Sequence, residues 1–139
     1  MKLVVAKDDT CVLRFDSDEE IVFELMRLAD EKNINAAEVS GIGSVSEVEL
    51  GYYDLDSKEY RKKVFSERME MVSLKGNLSV SDGTKSAHLH GVFSGPDYQA
   101  VGGHVHRAAV SATAEIIVRV LQGELKRRKD AEIGLNLLD

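Results

Sequence analysis

A histidine hairpin constrains this chain more than any other stretch. The sequence holds four histidines, His88, His90, His104 and His106, and all of them fall between residues 88 and 106. Ala87, Leu89 and Phe93 alternate with Ser86, His88, His90 and Val92, which is the two-residue period of a strand with one apolar face. His88 and His90 then project to the same side, with Cα atoms about 7 Å apart. That spacing lets two imidazoles meet one divalent ion at about 2.0–2.1 Å per Zn–N bond. Ser94-Gly95-Pro96-Asp97 is turn chemistry, so residues 98–105 are expected to return as a second strand. A hairpin centred near Pro96 places His104 opposite His88 and Gly102 opposite His90. A glycine at that place leaves room for a ligand. A slip of one residue would send His104 to the other face. The competing reading is a set of hydrogen-bonded surface or core histidines with no ligand. His106 in particular reads as a surface residue.

The flanking segments read mostly as strands. Residues 3–6 and 11–15 form two of them around Asp8-Asp9. Ser17-Asp18-Glu19-Glu20 fits a capping box. The helix after it is expected to bury Val22, Leu25, Met26 and Ala29 and to end near Lys32-Asn33. Residues 36–41 and 45–53 follow, split by Gly41 and Gly43. A Gly-x-Gly can cradle phosphate when a helix follows, but here a strand follows, so it reads as a turn. Residues 60–65 and 69–80 are further strands, with Gly76 marking a bulge or a close backbone approach. Asp82-Gly83 is a hairpin signal that delivers the chain into the histidine strand. Residues 108–114 are a run of small side chains suited to close packing, and 115–121 read as a buried strand. Residues 126–130 read as a charged turn. Ile133, Leu135 and Leu137 alternate as in an edge strand. Many strands with one main helix make an α+β fold with a largely antiparallel sheet, expected to form a single domain over residues 1–139.

Composition narrows the function classes. The chain is 43% hydrophobic and 30% charged, with a formal net charge of −6. It has no run of 18 apolar residues to cross a membrane, and the apolar part of its N-terminal stretch is short for a signal peptide. Cys11 is the single cysteine, so no internal disulfide forms. That suits a reducing cytoplasm and a role for Cys11 as a small buried hydrophobe. Free-standing DNA binders carry a basic footprint. The two basic runs here, Arg61-Lys62-Lys63 and Lys126-Arg127-Arg128-Lys129, read as solvated loops or element ends. Direct DNA binding by the chain alone is therefore not expected.

Several motifs resemble those of the PPC (plants and prokaryotes conserved) domain family. They are His88-Leu89-His90, Ala100-Val101-Gly102-Gly103-His104 and Ala112-Thr113-Ala114-Glu115-Ile116-Ile117-Val118. Glu70-Met71-Val72-Ser73-Leu74-Lys75-Gly76-Asn77 and Ser40-Gly41-Ile42-Gly43-Ser44-Val45 are similar to that family's strand and turn, and Leu13-Arg14-Phe15 with Glu19-Glu20 to its opening. The likeness spans roughly residues 8–121. It departs from the family in lacking a glycine before the glutamate pair and in carrying the extra His106. It implies a curved antiparallel sheet with one helix, assembled as a homotrimer. Plant members of the family carry an Arg-Gly-Arg-Pro AT-hook ahead of the domain, and this chain, whose one proline is Pro96, has no such core.

Two functions compete. The first is a cytoplasmic domain binding a divalent metal, zinc by preference, through His88, His90 and His104. Three histidines with an open fourth position can activate water for hydrolysis. No catalytic set is assignable by spacing, so whether the chain is an enzyme stays open. Glu70 and Glu115 are candidate general bases or partners behind the ligands, or else they pair with Arg14 or Arg119. The second function is a non-enzymatic regulatory or DNA-associated module acting through partners. Self-assembly fits either. Val45, Val72, Ile117, Ile133 and Leu135 are expected to leave apolar surface that one small domain cannot bury.

Overall fold

Nine strands and one helix account for the chain, and the computed structural model describes all 139 residues. In order they are β1 (Lys2–Lys7), β2 (Thr10–Asp16), α1 (Ile21–Glu31), β3 (Ala37–Asp54), β4 (Glu59–Phe65), β5 (Met69–Ser81), β6 (Thr84–Ser94), β7 (Ala100–Val120), β8 (Lys126–Lys129) and β9 (Asn136–Leu138). Every strand pair is antiparallel except β5 with β8. β3 pairs with β5, β5 with β6, β6 with β7, and β7 back with β3. The expected curvature thus goes as far as a closed circuit of hydrogen-bonded strands.

The long strands make that circuit possible. β3 runs unbroken through Gly41 and Gly43, which were expected to split it, and the register shifts there instead. Gly43 has φ +154°, and a Cβ on it would lie 2.5 Å from the Ala114 Cα. Bulges of this kind bend a strand and increase its twist. The first half of β3 lies between β5 and the end of β7, and its second half lies between β4 and the start of β7.

The helix starts later than the capping-box reading put it. Asp18 turns out of β2 with φ +70°, and Glu20, not Ser17, is the N-cap. Its carboxylate accepts from the backbone N–H groups of Val22 (3.1 Å) and Phe23 (2.7 Å) and also from Ala108 N–H in β7 (2.8 Å). One carboxylate therefore caps the helix, favours its positive end and ties it to the sheet. The buried face is Ile21, Leu25, Leu28 and Ala29, while Val22 and Met26 are only half-buried. At the far end Asn33 takes the left-handed conformation (φ +49°), as expected.

These helix residues join Leu13, Phe15, Leu74, Leu89, Phe93 and Ile116 in one continuous core. Each such large apolar side chain contributes about 1.5–3 kcal/mol by leaving water. Residues 115–120 bury only alternate side chains: Ile116 and Val118 face the core, and Ile117 is 45% exposed. Val45, expected at the surface, is fully buried. Residues 126–129 form a strand rather than a charged turn, because β8 adds to β5 in parallel and β9 covers its other edge. Arg61-Lys62-Lys63 likewise lies inside β4, opposite residues 50–52 of β3. Cys11 is half-buried and packs against the core.

Candidate metal centre

The site begins with a turn. Asp82 (φ +50°) and Gly83 (φ +78°) close the β5–β6 hairpin, and the parity set there sends His88 and His90 to one face of β6. The β6–β7 turn is longer than expected. Ser94 pairs with Ala100, Tyr98 is left-handed (φ +64°), and the Asp97 carboxylate accepts from Gln99 N–H at 3.0 Å. The loop therefore centres on Asp97, and the register moves by two residues from that expected. His104 lies opposite His90 and Gly102 opposite Val92, while His88 lies opposite Asn77 of β5. A two-residue shift keeps each side chain on its face, so the three rings still converge.

A glycine does make room at the site, from another strand. Gly51 of β3 lies opposite His104, and a Cβ on it would sit 2.5 Å from His106 Nε2 and 2.8 Å from a Tyr60 ring carbon. His106 is accordingly packed rather than a surface residue. Its ring lies 4.7 Å from that of His104 and 4.9 Å from that of Tyr60.

His88, His90 and His104 each offer a ring nitrogen within 4.8 Å of the others. His88 Nε2 and His90 Nε2 are 3.3 Å apart. Two nitrogens bound to one tetrahedral zinc at about 2.0–2.1 Å lie about 3.3 Å apart, so this pair already has the spacing of a metal edge. His104 Nδ1 is buried and has no hydrogen-bond partner, and buried polar atoms are normally paired. Three neutral imidazoles suit zinc, copper, nickel or iron(II). His106 Nε2 is unpartnered as well, so it is the donor set and the spacing of His88, His90 and His104 that fit a divalent metal ion.

Burial favours the neutral rings of His104, His88 and His106. Burial pushes the His104 pKa down to about 4, assisted by His106, His88, His90 and Lys62. Burial also lowers the pKa of His88, aided by Arg127 and His90, and that of His106, aided by Lys62 and opposed by Glu49. Neutral imidazole is the form that binds metal. The unfolded chain takes up a proton on His104 near pH 6.5, whereas the folded chain refuses it until about pH 4. The stability contributed by neutral His104 is thus complete above pH 6.5 and is lost as pH falls toward 4. Thermal unfolding of chelator-treated protein should show this fall, and a His104→Asn variant should show less of it. Equal slopes for the two proteins between pH 6.5 and 4.5 would contradict the assignment.

Glu70 and Glu115 do not belong to this site. Glu70 lines a separate cavity with Arg68 and Tyr98, and Glu115 lies on the outer sheet face with Lys75 and Ile117. Arg14 pairs with Asp16 and Arg119 with Glu38 instead of with either glutamate. The residues beside the histidines are Tyr60 and Arg127, which line a cavity of about 340 Å³ with His88 and His104. Burial and the neighbouring Tyr53 raise the Tyr60 pKa. Sequence reasoning passed over both residues. The only signal for Arg127 was strand alternation within the 126–129 run, which it shares with Lys129.

An α+β domain whose hairpin gathers three imidazoles, two of them lining a cavity, defines the class. The model of the Plants and Prokaryotes Conserved (PCC) domain matches residues 4–122, and the chain belongs to this family. Among solved structures it is similar to a metal-containing protein from Archaeoglobus fulgidus, with 37% identity and a TM-score of 0.87, covering 99% of this chain and 96% of that one. It is also similar to a Bacteroides thetaiotaomicron protein named as a candidate DNA binder, with 29% identity and a TM-score of 0.94 over 97% and 94% of the two chains. A plant- and prokaryote-conserved protein from Pyrococcus horikoshii shares the fold, with 24% identity and a TM-score of 0.87 over 100% and 97%. No curated protein sequence matches the chain. No helix is long and apolar enough to cross a membrane.

Proposed function

We propose that the chain binds one divalent metal ion, zinc by availability, through His88, His90 and His104, with the fourth position open to the cavity. The 3.3 Å approach of two Nε2 atoms, beside a third imidazole with an unpartnered nitrogen, carries this reading. The 37% identical relative described as metal-containing supports it. Metal analysis of protein purified without chelator should find about one ion per chain, zinc above the others. Stripped protein should take up one equivalent of zinc. A chain that retains none and binds none refutes the reading.

The second reading, a DNA-associated module acting through partners, is favoured by the Bacteroides relative. Direct binding of DNA by this chain is disfavoured by charge. Arg61 pairs with Asp54, Lys62 with Glu49, Lys126 with Glu124 and Arg128 with Asp139, which leaves Lys63, Arg127 and Lys129 as the cations of the two runs without a carboxylate partner. Binding to duplex DNA at physiological salt should be absent, since specific modules neutralise several phosphates. A steeply salt-dependent sub-micromolar complex would reverse that expectation.

Assembly as a homotrimer belongs to the same proposal. Ile42, Val72 and Ile117 are 56%, 55% and 45% exposed on the outer face of β3, β5 and β7, where contiguous apolar surface marks an interface. Light scattering should give three times the chain mass, and a monomer at micromolar concentration rejects the trimer. A single cysteine, with no internal disulfide to form, suits a reducing compartment such as the cytoplasm.

A further inference from the structure

Arg127 stands apart from the other arginines. Arg14, Arg27, Arg61, Arg107, Arg119 and Arg128 each pair with a carboxylate. Arg68 has no such pair but is exposed. Arg127 is half-buried, and all its partners are neutral. Nε donates to Ser79 Oγ (2.9 Å), one terminal nitrogen to the Asn136 carbonyl (3.0 Å), and the other to Asn77 Oδ1 (2.9 Å) and His88 Nδ1 (3.2 Å). No acidic residue lines the cavity it faces, whereas Lys129 does. The cavity therefore presents a held guanidinium, a second cation and two rings of the histidine cluster, His88 and His104, with no counter-charge.

The bond to His88 adds a constraint. A guanidinium only donates, so His88 Nδ1 accepts, and in the neutral ring the proton sits on Nε2, facing His90. A metal ion held at Nε2 would take the place of that proton, and the neutral ring would then carry its hydrogen on Nδ1. Arg127 loses an acceptor at the moment a cation arrives nearby. A donor left unpaired away from water is costly, and two positive centres a few ångströms apart repel. An anion in the cavity relieves both.

We propose that Arg127 is the carboxylate-binding residue of this site, and that the ligand is a small carboxylate held jointly by the metal ion and the guanidinium. This rests on the metal-binding reading above. Planar carboxylate matches the fixed fork of a guanidinium, and the cavity volume suits a molecule of a few carbon atoms. Metal and carboxylate should strengthen each other's binding, because linkage is reciprocal.

The test uses the full chain loaded with cobalt(II) as a spectroscopic stand-in for zinc, titrated with acetate and, separately, with imidazole. Acetate should shift the visible cobalt absorption of the natural protein. Arg127→Gln should weaken the acetate response about ten- to hundredfold, the range of a charge-assisted hydrogen bond. Imidazole is neutral and needs only the open metal position, so its response should not change. Arg127→Lys keeps the charge and the aliphatic stem, tests the same point should the glutamine variant fold poorly, and should fall between the two. Equal acetate affinity in the natural protein and both variants overturns the proposal, as does a natural protein that takes up cobalt without responding to acetate. A natural protein that takes up no cobalt overturns the metal reading itself, and the carboxylate proposal with it.

Discussion

Replacing His90 by alanine should weaken zinc binding by more than about a hundredfold and leave the fold in place. Residues that only orient a metal ligand cost 10–100-fold when removed, and His90 supplies one of three donors. Its side chain is exposed, and exposed substitutions away from special features usually stay within about 0.5 kcal/mol of the natural stability. His104→Ala should lose metal as fully but also lose stability, because its ring packs between those of Tyr60, His88 and His106. His106→Ala removes no member of the convergent trio and should keep zinc affinity within about tenfold. Competition against a chromogenic chelator, with unfolding midpoints measured in parallel, separates the three. Natural zinc affinity in His90→Ala would sink the tri-histidine site.

Gly76→Ala is expected to be among the most damaging single substitutions in the chain. A Cβ at Gly76 would lie 1.9 Å from the His88 carbonyl oxygen and 2.9 Å from the Leu89 Cα. Both are backbone atoms of the neighbouring strand, so no side-chain rotation relieves the clash. β5 and β6 must part where Gly76 lies opposite Leu89, a core residue with no exposed surface. Overpacking costs about 1–3 kcal/mol when side chains can adjust and more when backbone must move, so a loss above about 3 kcal/mol is expected. In a chain of this size that lowers the unfolding midpoint by roughly 10 °C. Zinc affinity should fall as well, because the displaced carbonyl belongs to a histidine of the site. Gly83→Ala is the control. Its φ of +78° favours glycine, but nothing lies within 4 Å of the added Cβ, so only about 1 kcal/mol of left-handed strain is expected. Comparable midpoints for the two variants would mean that β5 and β6 yield more easily than their packing indicates.

Local signals determined much of this protein. Period-two alternation reads out which residues share a strand face, and left-handed turn residues such as Gly83 and Asp82 mark where the chain reverses. Those two kinds of information were enough to bring His88, His90 and His104 to one side. Parity survives a shift of two residues, which is why the histidine face was legible even though the pairing of His104 with His88 was not. The exact register depended on the loop from Gly95 to Gln99, where an Asp97 side chain and a left-handed Tyr98 lengthen the turn in a way that composition does not reveal. Glu20 caps the helix while holding Ala108 from a distant strand, a contact that the local Ser17-Asp18-Glu19-Glu20 pattern could not reveal, so that pattern pointed to Ser17 as the cap.

Only the tertiary structure decided what surrounds the histidines. Gly51, Tyr60 and Arg127 reach them from β3, β4 and β8, and nothing in the spacing along the chain links those strands to β6. A basic run read alone is a solvated run. It acquires meaning when β8 docks in parallel on β5 and turns Arg127 over Asn77 toward His88. Glu70 and Glu115 show the reverse case, since their side chains suggested chemistry and the closed circuit of strands set them on other faces. Side-chain direction is a local property of a strand. Which strands become neighbours is settled by burying the core as a whole.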